Sequence, residues 1–200
     1  MLHFFIECDI LNICIYSERD NFMELFEKTI KSDLIYNGRV FNVYSDRVIL
    51  PDGREADREF IEHNGGVCIL PLLDNGDVIF VKQFRYGIKD TLLEIPAGKR
   101  EKNEDPRECG LRELKEEIGA EAEEFIFLGE CLPTTAYLSE RIYMYLAKGL
   151  HFSEQKLDDD EFLEIIHIPF EKAIEMVLSG EIKDAKTQIA LMKARMKNLV

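Results

Sequence analysis

Residues 112–120 read RELKEEIGA. One arginine, Arg112, is followed closely by three glutamates, Glu113, Glu116 and Glu117. On a helix each residue turns by about 100°, so these carboxylates fall within about 100° of one another. Leu111, Leu114 and Ile118 then gather in a stripe on the other side. The helix is clearly punctuated. Asp105 suits the N-cap, Pro106 the first helical position, and Glu108 completes a capping-box pattern. Gly119 stops it. Like charges at i and i+4 cost only roughly 0.2–0.5 kcal/mol on an isolated helix. Two readings therefore stand: the acids form a solvated face, or they await a cation. Mg²⁺ takes oxygen ligands, keeps several waters, and binds through a few carboxylates plus substrate phosphates. Carboxylates at i, i+3 and i+4 supply such ligands without a long loop. Arg112 is placed to pair with one of them and hold it in position.

The whole chain has 200 residues, which suits one compact domain, or one domain plus a small appendage. Its 46% apolar and 32% charged content fits a soluble globular protein with a core. A net charge of −14 repels nucleic-acid phosphates and anionic membrane surfaces alike. No nucleic acid and no membrane is expected as a partner. A negative protein still binds an anionic small molecule where metal ions mediate. The cysteines, at 8, 14, 68, 109 and 131, are odd in number, widely spaced and free of any C-x-x-C. They read as reduced thiols in a cytoplasmic protein rather than as disulfides or a zinc site. Residues 1–22 are apolar but interrupted by Glu7 and Asp9, with no basic leader region and no small-residue cleavage site. We read them as an extension outside the core fold.

Strand signals surround the helix. Residues 37–50, NGRVFNVYSDRVIL, alternate and then meet the turn PDG. READREFIEH continues the pattern, so 36–63 reads as a small antiparallel unit. GGVCILPLL is a short apolar run of a buried strand, DNGD a hairpin turn, and VIFVKQFRY the return strand. LLEIPAG reads as one further short strand. Strands are also expected at 124–130, 141–147 and 163–168, a loop at LDDDE (157–161), and closing helices at PFEKAIEMVLSG and DAKTQIALMKARMKN.

The wider spacing decides between the two readings of the acidic row. From Gly98 the chain runs through five residues to Glu104, then seven more to R-E-L-K-E-E-I-G. This resembles the signature of the Nudix hydrolases, which cleave nucleoside diphosphates linked to another group. Gly98, Glu104, Arg112, Glu113, Glu116, Glu117 and Gly119 all match. At average residue frequencies such a match arises by chance on the order of 10⁻⁹ per starting position. VKQFRYGIKDTLLEIPAGKRE, AYLSERIYMYLA, LDDDEFLEI and SGEIKDAKTQIALMKA further resemble the ADP-ribose pyrophosphatase branch.

The resemblance implies an α/β fold: an α/β/α sandwich with a mixed sheet, plus a small N-terminal antiparallel sheet region. The implied division is an extension at 1–22, an N-terminal sheet region at 23–63 that helps form a homodimer, and a Nudix domain at 64–200. It implies Mg²⁺ or Mn²⁺ held by Glu113, Glu116, Glu117 and the Ala97 carbonyl, with Arg112 and Glu104 supporting the loop. Glu161, and after it Asp159, is the acidic residue expected to assist the water; Arg58, Arg85 and Glu94 are candidates for substrate contact. The implied reaction is metal-dependent hydrolysis of ADP-ribose to AMP and ribose 5-phosphate. The alternatives are another nucleotide sugar, such as GDP-mannose or ADP-glucose, or a non-catalytic ADP-ribose-binding regulator.

Overall fold

The structure is a computed structural model that describes residues 24–157 and 161–200. The extension read at 1–22 lies outside the described residues. In chain order the elements are β1 (Lys28–Asn37), β2 (Phe41–Ile49), β3 (Glu55–His63), β4 (Gly66–Pro71), β5 (Asp77–Arg85), β6 (Asp90–Glu94), β7 (Ala97–Lys99), α1 (Pro106–Ile118), β8 (Ala120–Cys131), β9 (Ile142–Phe152), β10 (Leu163–Pro169), α2 (Phe170–Ser179) and α3 (Ala185–Met196).

All six residues of β4 are buried. The strand runs parallel to β9 and antiparallel to β7, in a mixed sheet ordered β7-β4-β9-β8. A second sheet, β10-β5-β6, is antiparallel. Side chains alternate across the strands, so each face gathers its own core. Cys68 and Leu70 of β4, with Met144 and Leu146 of β9, pack against Phe170, Ala173, Ala190, Leu191 and Ala194 of α2 and α3. Val67 and Ile69, with Tyr145 and Ala147, pack against Cys109, Leu114 and Ile118 of α1. Helices thus cover both faces, which is why β4 is a continuous apolar run rather than an alternating one. This is the expected α/β/α sandwich.

The N-terminal sheet, β1-β2-β3, joins the rest through β3, where Ile61 bridges Leu138, and all ten residues of β1 are exposed. The residue pattern alone starts the antiparallel unit at 36 and omits most of β1, which the sheet region implied at 23–63 includes. KTIKSDLIYN carries no clean alternation because neither of its faces is buried within the chain. LLEIPAG also differs from expectation. It divides into β6 and β7, which belong to different sheets. Pro96 sits at the break, where its missing N–H costs no ladder bond while its carbonyl still accepts from Ile69 at 2.8 Å. The break redirects the chain toward the acidic helix.

Candidate active site

The helix itself corrects one expectation. Glu113 and Glu117 are not on a wet face: they are 8% and 2% exposed, and they share the buried side of α1 with Cys109, Gly110, Leu114 and Ile118. Leu111, expected in the apolar stripe, is only half-buried. Asp105 caps the helix by accepting from the Arg107 and Glu108 amides at 2.9 and 3.3 Å. The reciprocal half of the capping box is replaced by a 3.9 Å contact between Glu108 and Arg107. At the other end Gly119 adopts φ 66°, the left-handed conformation that glycine tolerates.

Arg112 is the hub of the loop and helix. Its Nε donates to Glu104 Oε1 at 3.0 Å. Its Nη1 donates to Glu113 Oε1 and to Glu116 Oε2, each at 2.8 Å. The Glu104 backbone amide donates to the Glu101 carbonyl, and the Glu101 amide to Glu104 Oε2, so the turn ahead of the helix is closed from both ends. The hydrogen bond from Arg112 holds the Glu104 carboxyl down at about 2. Burial alone would lower the Arg112 pKa, but Glu104, Glu113 and Glu116 together raise it. Gly98 completes the packing. A Cβ there would lie 1.8 Å from Glu113 Cδ, so only glycine lets that carboxylate lie against the β7 backbone.

Glu117 is the most perturbed acid. Burial pushes its carboxyl up to about 8, against the one backbone donor it has, the Ala97 amide at 3.0 Å; Glu113 and Glu161 add repulsion. Burial likewise raises Glu113, although Arg112 opposes this. Arg112 supplies positive charge to Glu113 and Glu116, but Glu117 has only a backbone amide, and a cation is the natural complement. Among the described residues no three acidic side chains already converge as a closed ligand cage. Arg112 takes one oxygen of Glu113 and one of Glu116, leaving each carboxylate its second oxygen. Such an open set of partial ligands suits Mg²⁺, which keeps several waters and shares its shell with substrate phosphates.

These acids line one wall of a cavity of about 1060 Å³. Ala97, Arg112, Glu113, Glu116, Glu117, Arg85 and Glu161 all face it. Glu161 lies just ahead of β10, and the chain leaving β9 docks on the end of α1. The Gln155 side chain donates to the Glu117 carbonyl and the Lys156 amide to the Glu116 carbonyl, satisfying acceptors that every helix C-terminus leaves open. Asp159 lies outside the described residues. Glu94 does not line the cavity. It is 1% exposed behind Arg85, which clamps it through Nε at 2.6 Å and Nη2 at 2.7 Å. Arg58 does not line its own chain's cavity either, and pairs with Glu27 at 2.6 and 2.8 Å. Among the cavity residues that sequence reasoning missed are Arg39, His63 and Lys186. Lys186 had a signal, since it lies in the quoted KDAKTQIAL stretch, but its partner Glu94 is 92 residues away.

Comparison with known proteins follows the same lines. The NUDIX domain model matches residues 62–190. The chain belongs to the Nudix family. Residues 27–61 match the nucleoside diphosphate sugar hydrolase N-terminal domain. An ADP-ribose pyrophosphatase of Bacillus subtilis (strain 168) is 39% identical over 86% of this chain and 95% of its own length. A methanol dehydrogenase activator of Bacillus methanolicus is also 39% identical, over 82% of this chain and 90% of its own. A GDP-mannose pyrophosphatase of Yersinia enterocolitica is 34% identical, over 68% and 76% respectively. Among solved structures, a crystal structure of an ADP compounds hydrolase superposes with TM-score 0.76 at 22% identity, covering 86% of this chain and 93% of that one, which establishes the shared Nudix fold.

Proposed function

We propose that this Nudix hydrolase cleaves the diphosphate of ADP-ribose, giving AMP and ribose 5-phosphate, with Mg²⁺ as its metal and Mn²⁺ as a substitute. The observation that carries the reading is that Glu113, Glu116 and Glu117, two of them buried, line one cavity together with Glu161, on a chain similar to an ADP-ribose pyrophosphatase over most of both lengths. Glu113, Glu116, Glu117 and the Ala97 carbonyl would hold the metal. When bound, it would neutralise the diphosphate and lower the pKa of a coordinated water. Arg112 keeps Glu113 and Glu116 oriented, and the amide of Ala97 orients Glu117. Glu161 accepts the proton of the attacking water, with Asp159 as the second acid of that loop. Arg85, which also lines the cavity, meets the phosphates, and Glu94 fixes it there.

We assign residues 23–63 to the N-terminal sheet region and 64–200 to the catalytic domain, and take the chain to be a homodimer. Leu34, Ile35 and Tyr36 of the fully exposed β1 are 51%, 65% and 54% exposed, an apolar row that a second copy would cover. Arg58, away from its own cavity, would then serve the partner's. Cys68, Cys109 and Cys131 are free thiols, which supports a cytoplasmic setting. Among the described residues no helix is long and apolar enough to cross a membrane. The deciding experiment is a panel of ADP-ribose, ADP-glucose and GDP-mannose, with and without Mg²⁺, with products separated. The expected result is preferential, Mg²⁺-dependent release of AMP and ribose 5-phosphate from ADP-ribose. Preference for GDP-mannose would reassign the substrate, and tight ADP-ribose binding without turnover would mark a regulator.

A further inference from the structure

A relay of largely buried side chains connects helix α3 to Arg85, and its Asp184 and Lys186 also line the cavity. Asp184 caps α3, accepting from the Thr187 amide at 3.0 Å and from the Thr187 hydroxyl at 2.6 Å. Thr187 Oγ1 accepts in turn from the Ile95 amide at 3.0 Å, which pins the end of β6 to the helix. Lys186 donates to Asp184 Oδ1 at 2.9 Å and to Glu94 Oε2. Glu94 accepts both bonds from Arg85. The side chains of Glu94 and Lys186 are 1% and 13% exposed, whereas Arg85 is 40% exposed and opens to the cavity. Arg85 spends Nε and one Nη2 hydrogen on Glu94, and its remaining N–H groups carry no protein partner among the described residues.

We propose that Lys186 is a positioning residue: together with Asp184 it fixes Glu94, and Glu94 fixes Arg85 so that its free N–H donors face the substrate diphosphate. This rests on the diphosphate reading of the site. Without Lys186, the Glu94 carboxylate keeps only Arg85 and gains freedom to turn. Arg85 then loses its fixed direction although it keeps its charge. A planar guanidinium binds phosphate through directed pairs of N–H bonds, so orientation matters more than charge alone.

The test uses the full chain with K186M, K186Q, R85K and the double variant R85K/K186M. Kinetics with ADP-ribose and Mg²⁺ are paired with the ¹⁵N-resolved NMR signal of the Arg85 Nε–H, assigned by its loss in R85K. The expected results are an Nε–H that exchanges about tenfold faster in K186M and K186Q, and KM raised about tenfold with kcat changed far less. R85K/K186M should be no worse than R85K alone, because both act through one contact. Unchanged Nε–H exchange with unchanged KM would overturn the proposal, as would losses that multiply in the double variant. Should wild type hydrolyse no nucleoside diphosphate sugar, the function reading fails. The NMR exchange still decides separately whether Lys186 positions Arg85.

Discussion

At the scale of single residues, the active-site claim reduces to which acids are short of positive charge. Glu113 and Glu117 are buried on the core side of a helix, where a solvated face would never put them. Replacing Glu116 or Glu117 with Gln should lower kcat by at least about 100-fold while circular dichroism stays native, since similar losses follow when metal-site residues are removed. Wild-type rates in both variants would contradict their assignment as ligands. Gly98→Ala is expected to be as harmful from the other side. Its Cβ has no room beside Glu113, so the variant should lose activity and about 1–3 kcal/mol of stability in denaturant unfolding. Glu104 makes a pH prediction. Its folded carboxyl lies at about 2, below the ordinary 4.5, so the bond to Arg112 stabilises the protein above pH 4.5. That contribution drains away as pH falls from 4.5 through about 2. Glu104→Gln should flatten this acid limb of an unfolding titration; an unaltered limb would show that the Arg112 pair is not its source.

At the scale of elements, the difference between what the sequence disclosed and what it concealed is a matter of distance along the chain. The α1 signature is local: one loop and one helix carry Gly98, Glu104, Arg112 and the three glutamates, so their spacing is readable. The burial of Glu113 and Glu117 was not readable, because it depends on β4 and β7 arriving beneath the helix. The Arg85–Glu94–Lys186 group joins β5, β6 and α3, and no local pattern announces it. Likewise β1 hid because a strand with no buried face has no period to detect. The junction of β6 and α3 yields its own prediction. Thr187→Val keeps the side-chain shape but leaves the buried Ile95 amide without its acceptor. It should cost about 1–3 kcal/mol in chemical denaturation, and a neutral result would show that the amide finds another partner.

At the scale of the whole molecule, helices cover both faces of a mixed sheet, while the N-terminal sheet leaves every residue of its first strand exposed. An edge of that length is a liability in a monomer. Sedimentation velocity should find a dimer, and Leu34→Lys with Ile35→Lys should yield folded monomer. A monomeric wild type would remove the dimer from the account. The sandwich's remaining task is to bring the acids of α1, Glu161 and Arg85 to one cavity of about 1060 Å³. The most direct measurement is Mn²⁺ binding followed by electron paramagnetic resonance, with and without an α,β-methylene analogue of ADP-ribose, in wild type and Glu117→Gln. The account requires wild type to retain Mn²⁺, more tightly once the analogue is present, and the variant to lose most of it. Equal Mn²⁺ retention by both proteins, or none by either, would contradict it.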